Sequence, residues 1–140
     1  MRFETSRRIT AAADVAWAVL VDVERWPEST PSMTSVRRLD GGPLRVGSRA
    51  RVRQPRLPPA VWEVTDLVEH REFTWRSRSV GVTTVGRHLL TPDGDGVVLT
   101  LVLEQSGPLA PVVGRLAGGL TRRYVTQETE GLACTAERRA

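Results

Sequence analysis

The sequence predicts an α+β domain in which a curved antiparallel sheet of about seven strands wraps a long C-terminal helix. Three observations support this fold class. Residues 33–105 contain six segments with strand-like alternation, separated by turn residues. Residues 111–138 repeat apolar side chains at helical spacing. A sheet with one apolar face needs a cover, and this helix is the only predicted element long enough to provide it.

The first part of the chain predicts one strand and two short helices. Residues 2–10 alternate in the manner of a strand. In the segment 11–22, Ala16, Trp17 and Leu20 fall at the spacing of an amphipathic helix. The prolines in the segment 22–32 then predict a second, very short helix with an extended exit.

Six strands are predicted in the middle of the chain, at residues 33–40, 48–55, 60–69, 73–79, 82–91 and 97–105. The PDGDG segment before the last strand is a hairpin signal. Alternation places certain pairs on the same sheet face: Val52 with Gln54, Trp62 with Val64, Phe73 with Trp75, and Leu99 with Leu101. These faces are the candidates for the inner side of the sheet.

The predicted C-terminal helix opens at Pro108 and Pro111 and runs to about residue 138. Its apolar stripe consists of Val113, Leu116, Leu120, Tyr124, Gln127 or Glu128, and Leu132. Gly118 and Gly119 lie inside the helix, where glycine is unfavourable. They suggest a bend or a close approach, and packing is the commoner reason. A curved sheet closing on one helix leaves an internal apolar cavity near its open end.

Length and composition favour one cytoplasmic domain spanning residues 1–140. Cys134 is the only cysteine, and no signal peptide or membrane span is evident. All 20 basic residues are arginines, but net charge is only +4. We therefore predict a mixed, solvated surface, without nucleic acid and without stable membrane insertion, in a monomer or homodimer.

Potential catalytic groups are few. His70 falls in a predicted turn and is expected to be solvated. No zinc-ligand spacing and no Gly-rich phosphate loop occurs, so we expect no metal and no cofactor. His88 shares its strand phase with Thr84 and Leu90. Two interpretations of His88 remain open: a core histidine satisfied by a carbonyl or water, or a ligand-orienting acid–base group.

Aromatic side chains are candidate cavity walls, with ordinary core packing as the alternative. Tyr124 also brings a hydroxyl that could donate a hydrogen bond to a ligand carbonyl. The full predicted ligand-binding set consists of residues on the presumed inner faces: Trp26, Val52, Gln54, Trp62, Val64, Phe73, Trp75, Thr84, His88, Leu99, Leu101, Leu120 and Tyr124.

The order of these elements resembles the Bet v 1-like or START-like (SRPBCC) superfamily with its helix-grip fold. The opening ITAAADVAWAVLVDVERWPESTPSM resembles the opening of that family. The central segments GSRARVRQPRLPPAVWEV, FTW and GRHLLTPDGDGVVLTL resemble strands of its bacterial polyketide cyclase/dehydrase-like branch. The closing SGPLAPVVGRLAGGLTRRYVTQETEGL resembles its last loop and helix, so nearly the whole chain is covered.

This resemblance implies a cavity that binds a small hydrophobic molecule such as a lipid or polyketide. It also implies an alternative, a cyclase or dehydratase acting on a polyketide-like substrate, with His88 and Tyr124 as its catalytic groups. Trp62 aligns loosely with a tryptophan of the family's aromatase/cyclases, but their W-x-x-R arrangement is absent because Thr65 stands in the arginine position. An interaction module is the third class of function.

Overall fold

The computed structural model describes all 140 residues, and its backbone follows the predicted order of elements. Predicted and observed ends of most elements differ by a residue or two. In chain order the elements are β1 (Arg2–Ile9), α1 (Ala13–Val21), a 3-10 turn (Val23–Arg25), α2 (Trp26–Ser29), β2 (Ser35–Arg38), β3 (Arg49–Arg53), β4 (Ala60–Val68), β5 (Glu72–Ser79), β6 (Val82–Asp93), β7 (Gly96–Ser106) and α3 (Ala110–Arg139).

The seven strands form one antiparallel sheet in the order β1-β7-β6-β5-β4-β3-β2. The first strand pairs with the last, so that Ile9 lies opposite Val97. Register shifts once, between Val64 and Asp66 of β4, and such an irregularity bends a strand. Elsewhere the pairing is continuous, which lines up inward side chains in rows across the sheet.

The two ends of the sheet are covered by different elements. At the closed end, α1 and α2 pack against α3, and α1 also contacts β6 and β7. The hydrophobic core fills this end with fully buried side chains such as Leu20, Trp26 and Leu132. At the open end lie the β3–β4 loop, the β5–β6 hairpin and the start of α3.

No helix is long and apolar enough to cross a bilayer.

The predicted stripe on α3 is only partly correct. Tyr124 and Leu132 are buried, whereas Leu116 is exposed. The first turns of α3 direct Val113 and Ala117 toward the interior of the sheet. Leu116 lies on the adjoining face of the helix, where no other element covers it.

The glycine that permits a close approach is Gly131, not the Gly118–Gly119 pair. A Cβ atom at Gly131 would collide with the carbonyl oxygen of Ser29, so α2 can pack against α3 only at a residue without a side chain. A Cβ atom at Gly119 would meet nothing within 4 Å, and one at Gly118 would reach only the sulfur of Met1, at 3.4 Å.

An ion-pair cluster fastens β1 to the C-terminal half of α3. The Arg7 guanidinium lies 2.8 Å from the Glu137 carboxylate and 3.3 Å from that of Glu130. The hydrogen bond from the Arg7 guanidinium holds the pKa of Glu137 below its usual range. Cys134 lies beside the same arginine, and burial raises the pKa of its thiol. A raised pKa favours the thiol over the thiolate, which is the nucleophilic form.

Candidate functional site

A cavity of about 390 Å³ lies between the sheet and the first half of α3. This volume falls within the range of small-molecule pockets, roughly 300–1,000 Å³. Its walls come from the inner faces of β3 to β7, the β3–β4 loop and α3. Fifteen of the 28 lining residues are hydrophobic, so the cavity favours an apolar occupant.

A row of polar side chains crosses the sheet near the open end of the cavity. Ser77 of β5 pairs with Thr84 of β6, and Thr84 pairs with Gln105 of β7. All three side chains line the cavity. The amide oxygen of Gln105 is buried without a hydrogen-bond partner. A buried acceptor without a partner is unfavourable for the folded state.

Two tryptophans form an aromatic wall next to this row. The rings of Trp62 and Trp75 are 5.5 Å apart between centroids and tilted by 33°. Gly86 lies opposite Trp75 in the sheet, and a Cβ atom there would be 3.3 Å from two atoms of that indole. The missing side chain lets the indole lie close against β6. Because Trp75 is 4% exposed and Trp62 is half-buried, the apolar surface of this wall comes mainly from Trp62.

His88 and Glu128 form a buried pair at the inner part of the cavity. His88 is 3% exposed and Glu128 is 7% exposed. The Nδ1 atom of His88 lies 3.0 Å from the carbonyl oxygen of Phe73. Because a carbonyl only accepts, Nδ1 carries a hydrogen and donates it. The imidazole is also stacked on the ring of Phe73, with centroids 4.7 Å apart, which fixes its orientation.

The other ring nitrogen of His88 faces the carboxylate. Its Nε2 atom lies 3.6 Å from Oε1 of Glu128, which is longer than a direct hydrogen bond. Both residues line the cavity. A proton can therefore be exchanged between this pair and a polar group of an occupant. The hydrogen bond at Nδ1 agrees with the interpretation of His88 as a core histidine satisfied by a carbonyl. Nε2 makes no such bond and is available for the alternative, a ligand-orienting acid–base group.

The hydroxyl of Tyr124 bonds to the protein backbone and not, as predicted, to a ligand. Its ring lines the cavity, but its hydroxyl donates a hydrogen bond to the backbone carbonyl of Pro55. The hydroxyl proton is therefore already engaged and is not free for a ligand carbonyl. The bond ties the middle of α3 to the β3–β4 loop at the edge of the cavity.

Predicted binding residues divide between the cavity and the core. Eight of them line the cavity: Val52, Gln54, Trp62, Trp75, Thr84, His88, Leu101 and Tyr124. Five others do not: Trp26, Val64, Phe73, Leu99 and Leu120. Trp26 and Phe73 pack around the His88 ring from the core side. Val64 and Leu99 are completely buried, and Leu120 lies on the face of α3 beside the one that carries Thr121 and Tyr124.

Sequence reasoning missed several polar lining residues, among them Ser77, Gln105, Thr121 and Glu128. Strand alternation contained the signal for two of them. Ser77 follows Phe73 and Trp75 in phase, and Gln105 follows Leu101 in phase. Glu128 lies four residues after Tyr124, so helical spacing favours it over Gln127. No three His, Cys, Asp or Glu side chains come together as a metal site.

The fold and the cavity together define a START-like, or SRPBCC, domain with the helix-grip architecture. The chain belongs to the family described as polyketide cyclase / dehydrase and lipid transport, whose sequence profile matches residues 1–137. A search of curated protein sequences found no significant match.

Solved structures similar to this one include proteins of different kinds. The Zhui aromatase/cyclase from Streptomyces sp. R1128 has a TM-score of 0.80 at 20% identity, covering 99% of this chain and 94% of that one. The ginseng major latex-like protein 151 from Panax ginseng has a TM-score of 0.74 at 14% identity, with 96% and 95% covered. The di-domain ARO/CYC StfQ of the steffimycin biosynthetic pathway has a TM-score of 0.73 at 16% identity, with 98% and 50% covered. At these identities the likeness shows the fold alone.

Proposed function

We propose that this protein binds a small hydrophobic molecule bearing oxygen groups in the cavity between the sheet and α3. The observation that carries the proposal is the apolar cavity of about 390 Å³ crossed by a row of polar side chains, those of Ser77, Thr84 and Gln105. The proposed partner is thus a lipid, polyketide or related metabolite, bound by a cytoplasmic protein that uses no cofactor and does not act on nucleic acid.

The apolar and the polar lining residues contribute differently to ligand binding. Trp62 and Trp75 supply apolar area, which stabilises a bound ligand by roughly 25 cal/mol for each Å² removed from water. Hydroxyl groups of Ser77 and Thr84 lie in the same row as Gln105 and can bond to a ligand carbonyl or hydroxyl. A pure hydrocarbon would leave these two hydroxyl groups without a ligand partner. We therefore expect oxygenated ligands to bind more tightly than alkanes of the same size.

The test is displacement of an uncharged fluorescent probe, N-phenyl-1-naphthylamine, by fatty acids and by aromatic polyketides. Thr84→Phe places a ring in the cavity and is expected to weaken probe binding at least about tenfold. Thr83→Phe is the matched control, because residue 83 points to the opposite face of β6. Absence of displaceable binding, or equal binding by Thr84→Phe, contradicts the proposal.

A second candidate function, a dehydratase or cyclase, is favoured by the buried His88–Glu128 pair. In a dehydration, Nε2 of His88 removes a proton from the carbon beside a ligand carbonyl. The released electron pair forms the carbon–carbon double bond while the carbon–oxygen bond of a β-hydroxyl breaks. That hydroxyl leaves as water by taking the proton back from Nε2 of His88, which restores the neutral imidazole, and the Glu128 carboxylate 3.6 Å away stabilises the intervening imidazolium.

Isosteric substitution separates catalysis from binding. If the pair acts in this way, Glu128→Gln and His88→Gln lower the rate of water loss from a β-hydroxy ketone by about 100-fold or more. Probe affinity should change far less. Tyr124→Phe is the control, since its hydroxyl proton is held by Pro55. If no β-hydroxy ketone is turned over although the probe binds, the binding proposal stands alone.

A further inference from the structure

The exposed apolar residues of the protein concentrate at the mouth of the cavity. Val80 is 91% exposed and Leu116 is 83% exposed, more than any other large hydrophobic residue. Leu109 and Val112 are also exposed. We call these four residues the mouth ridge. Clustered apolar exposure of this kind marks an interaction surface.

The members of the mouth ridge come from two elements that touch. The backbone N–H of Leu109 donates to the carbonyl of Gly81, at 2.9 Å, so the β5–β6 hairpin contacts the start of α3. Leu109, Val112 and Leu116 follow one another at helical spacing on one face of α3. The neighbouring face carries Val113 and Ala117, which line the cavity. The ridge therefore runs directly beside the cavity opening.

Positive charge is concentrated in the same region. The segments 53–62, 75–88 and 105–127 supply the β3–β4 loop, the β5–β6 hairpin and the first half of α3. Together they contain eight of the 20 arginines and none of the 16 acidic residues. The rest of the chain therefore carries a net negative charge. The predicted mixed surface thus includes one region in which acid-free segments lie together.

These arginines also lack partners within the protein. Of the eight, only Arg87 lies within 4 Å of a carboxylate, that of Glu72 at 3.7 Å, although Arg76 stands opposite Glu63 in the β4–β5 pairing. Arg78, Arg115 and Arg122 are exposed, and none takes part in an ion pair. Arg78 borders the cavity itself, and the other two lie on the first half of α3. Their charge is available to an anionic partner.

We propose that the mouth ridge and its arginines dock the cavity opening onto a membrane surface containing anionic phospholipids. Apolar side chains entering the boundary of the acyl chains, with arginines at the headgroups, are the combination that holds a protein at such a surface. Like charges around the ridge disfavour a second copy of this chain. A ligand that leaves the cavity at a docked membrane passes directly into lipid and not into water. An acidic protein partner would not provide this apolar exit.

The first arm of the test measures binding of the ligand-free protein to vesicles by flotation. Vesicles of phosphatidylglycerol and phosphatidylcholine in equal parts should bind it, and vesicles of phosphatidylcholine alone should bind it much less. Leu116→Asp and Val80→Asp should each weaken binding at least about tenfold. Val68→Asp is the matched control, because Val68 is an exposed valine of β4 outside the ridge. Thermal melts verify that each variant is folded.

The second arm of the test removes positive charge beside the mouth ridge. Changing Arg78, Arg115 and Arg122 together to Gln should reduce partitioning about 100-fold, and added salt should weaken binding of the wild type. Arg37, Arg71 and Arg138 changed together to Gln are the matched control, with an expected loss below about tenfold.

Three results overturn the docking proposal: no binding to the anionic vesicles, equal loss in the test and control variants, or ridge-dependent binding only to a second copy or to an acidic protein. Displacement of the fluorescent probe by ligands, measured on the same ridge variants, should be unchanged. A failure of docking is thereby distinguished from a failure of the proposed cavity binding.

Discussion

The closed and open ends of this molecule are built from the same sheet and the same helix but are packed differently. At the closed end, α2 approaches α3 so closely that only glycine fits at position 131, and Trp26 is completely buried. At the open end, Gln105 has an unpartnered oxygen and Leu116 projects into solvent. The difference shows that stability is concentrated at one end, which leaves the other free for binding.

The largest expected effect comes from comparing two tryptophans. Trp26→Ala should lower the free energy of unfolding by about 4 kcal/mol, because it empties a packed site and leaves the carbonyl of Leu20 without its indole donor. Trp62→Ala, in the cavity wall, should lower it by less than about 2 kcal/mol. Urea denaturation followed by circular dichroism measures both. Equal losses would show that the cavity wall is packed as tightly as the core.

The next comparison uses two glycines of α3. Gly131→Ala should destabilise by about 2 kcal/mol, since the new methyl group collides with the carbonyl of Ser29 and forces α2 away. Gly119→Ala should stabilise by up to about 1 kcal/mol, because its Cβ atom meets nothing and alanine favours the helix. The same denaturation experiment tests the pair. A stabilising Gly131→Ala would refute the close packing of the two helices.

Local pattern predicted the fold well because each strand and helix carries its own signal. Alternation in β6 put Thr84, Gly86 and His88 in one phase, and in the structure all three line the cavity. Helical spacing also identified the burial of Tyr124 and Leu132. These features depend on residues close together in the chain, which a sequence displays directly.

The site was harder to predict because it depends on contacts between distant segments. Nothing local shows that Glu128 meets His88, 40 residues earlier, or that the Tyr124 hydroxyl is taken by Pro55. Trp26 and Phe73 look like cavity walls in the sequence, yet they pack on the core side of His88. Whether an inward side chain meets a cavity or another side chain depends on how far α1 and α2 extend over the sheet.

The smallest expected effect concerns the ion pair that fastens the C-terminal half of α3 to β1. Glu137→Gln removes the nearer of the two carboxylate partners of Arg7 and leaves Glu130 at 3.3 Å, and it weakens the acceptor for the backbone N–H of Thr10. Both side chains of the ion pair are more than a quarter exposed, so the loss at neutral pH should be about 1 kcal/mol. At the open end, Arg122→Gln is the control, and it should change stability by less than about 0.5 kcal/mol because its charge has no partner.

The effect of Glu137→Gln should depend on pH in a defined direction. The hydrogen bond from Arg7 lowers the pKa of Glu137 in the folded protein below its value of about 4.5 in the unfolded chain. The stabilisation is therefore fully present above the unfolded-state pKa and is lost as the pH falls through the folded-state pKa. Wild type and variant should differ at pH 7 and converge in acid below about pH 4. A difference that stays constant down to pH 3 would mean that the ionised carboxylate is not what holds α3 to β1.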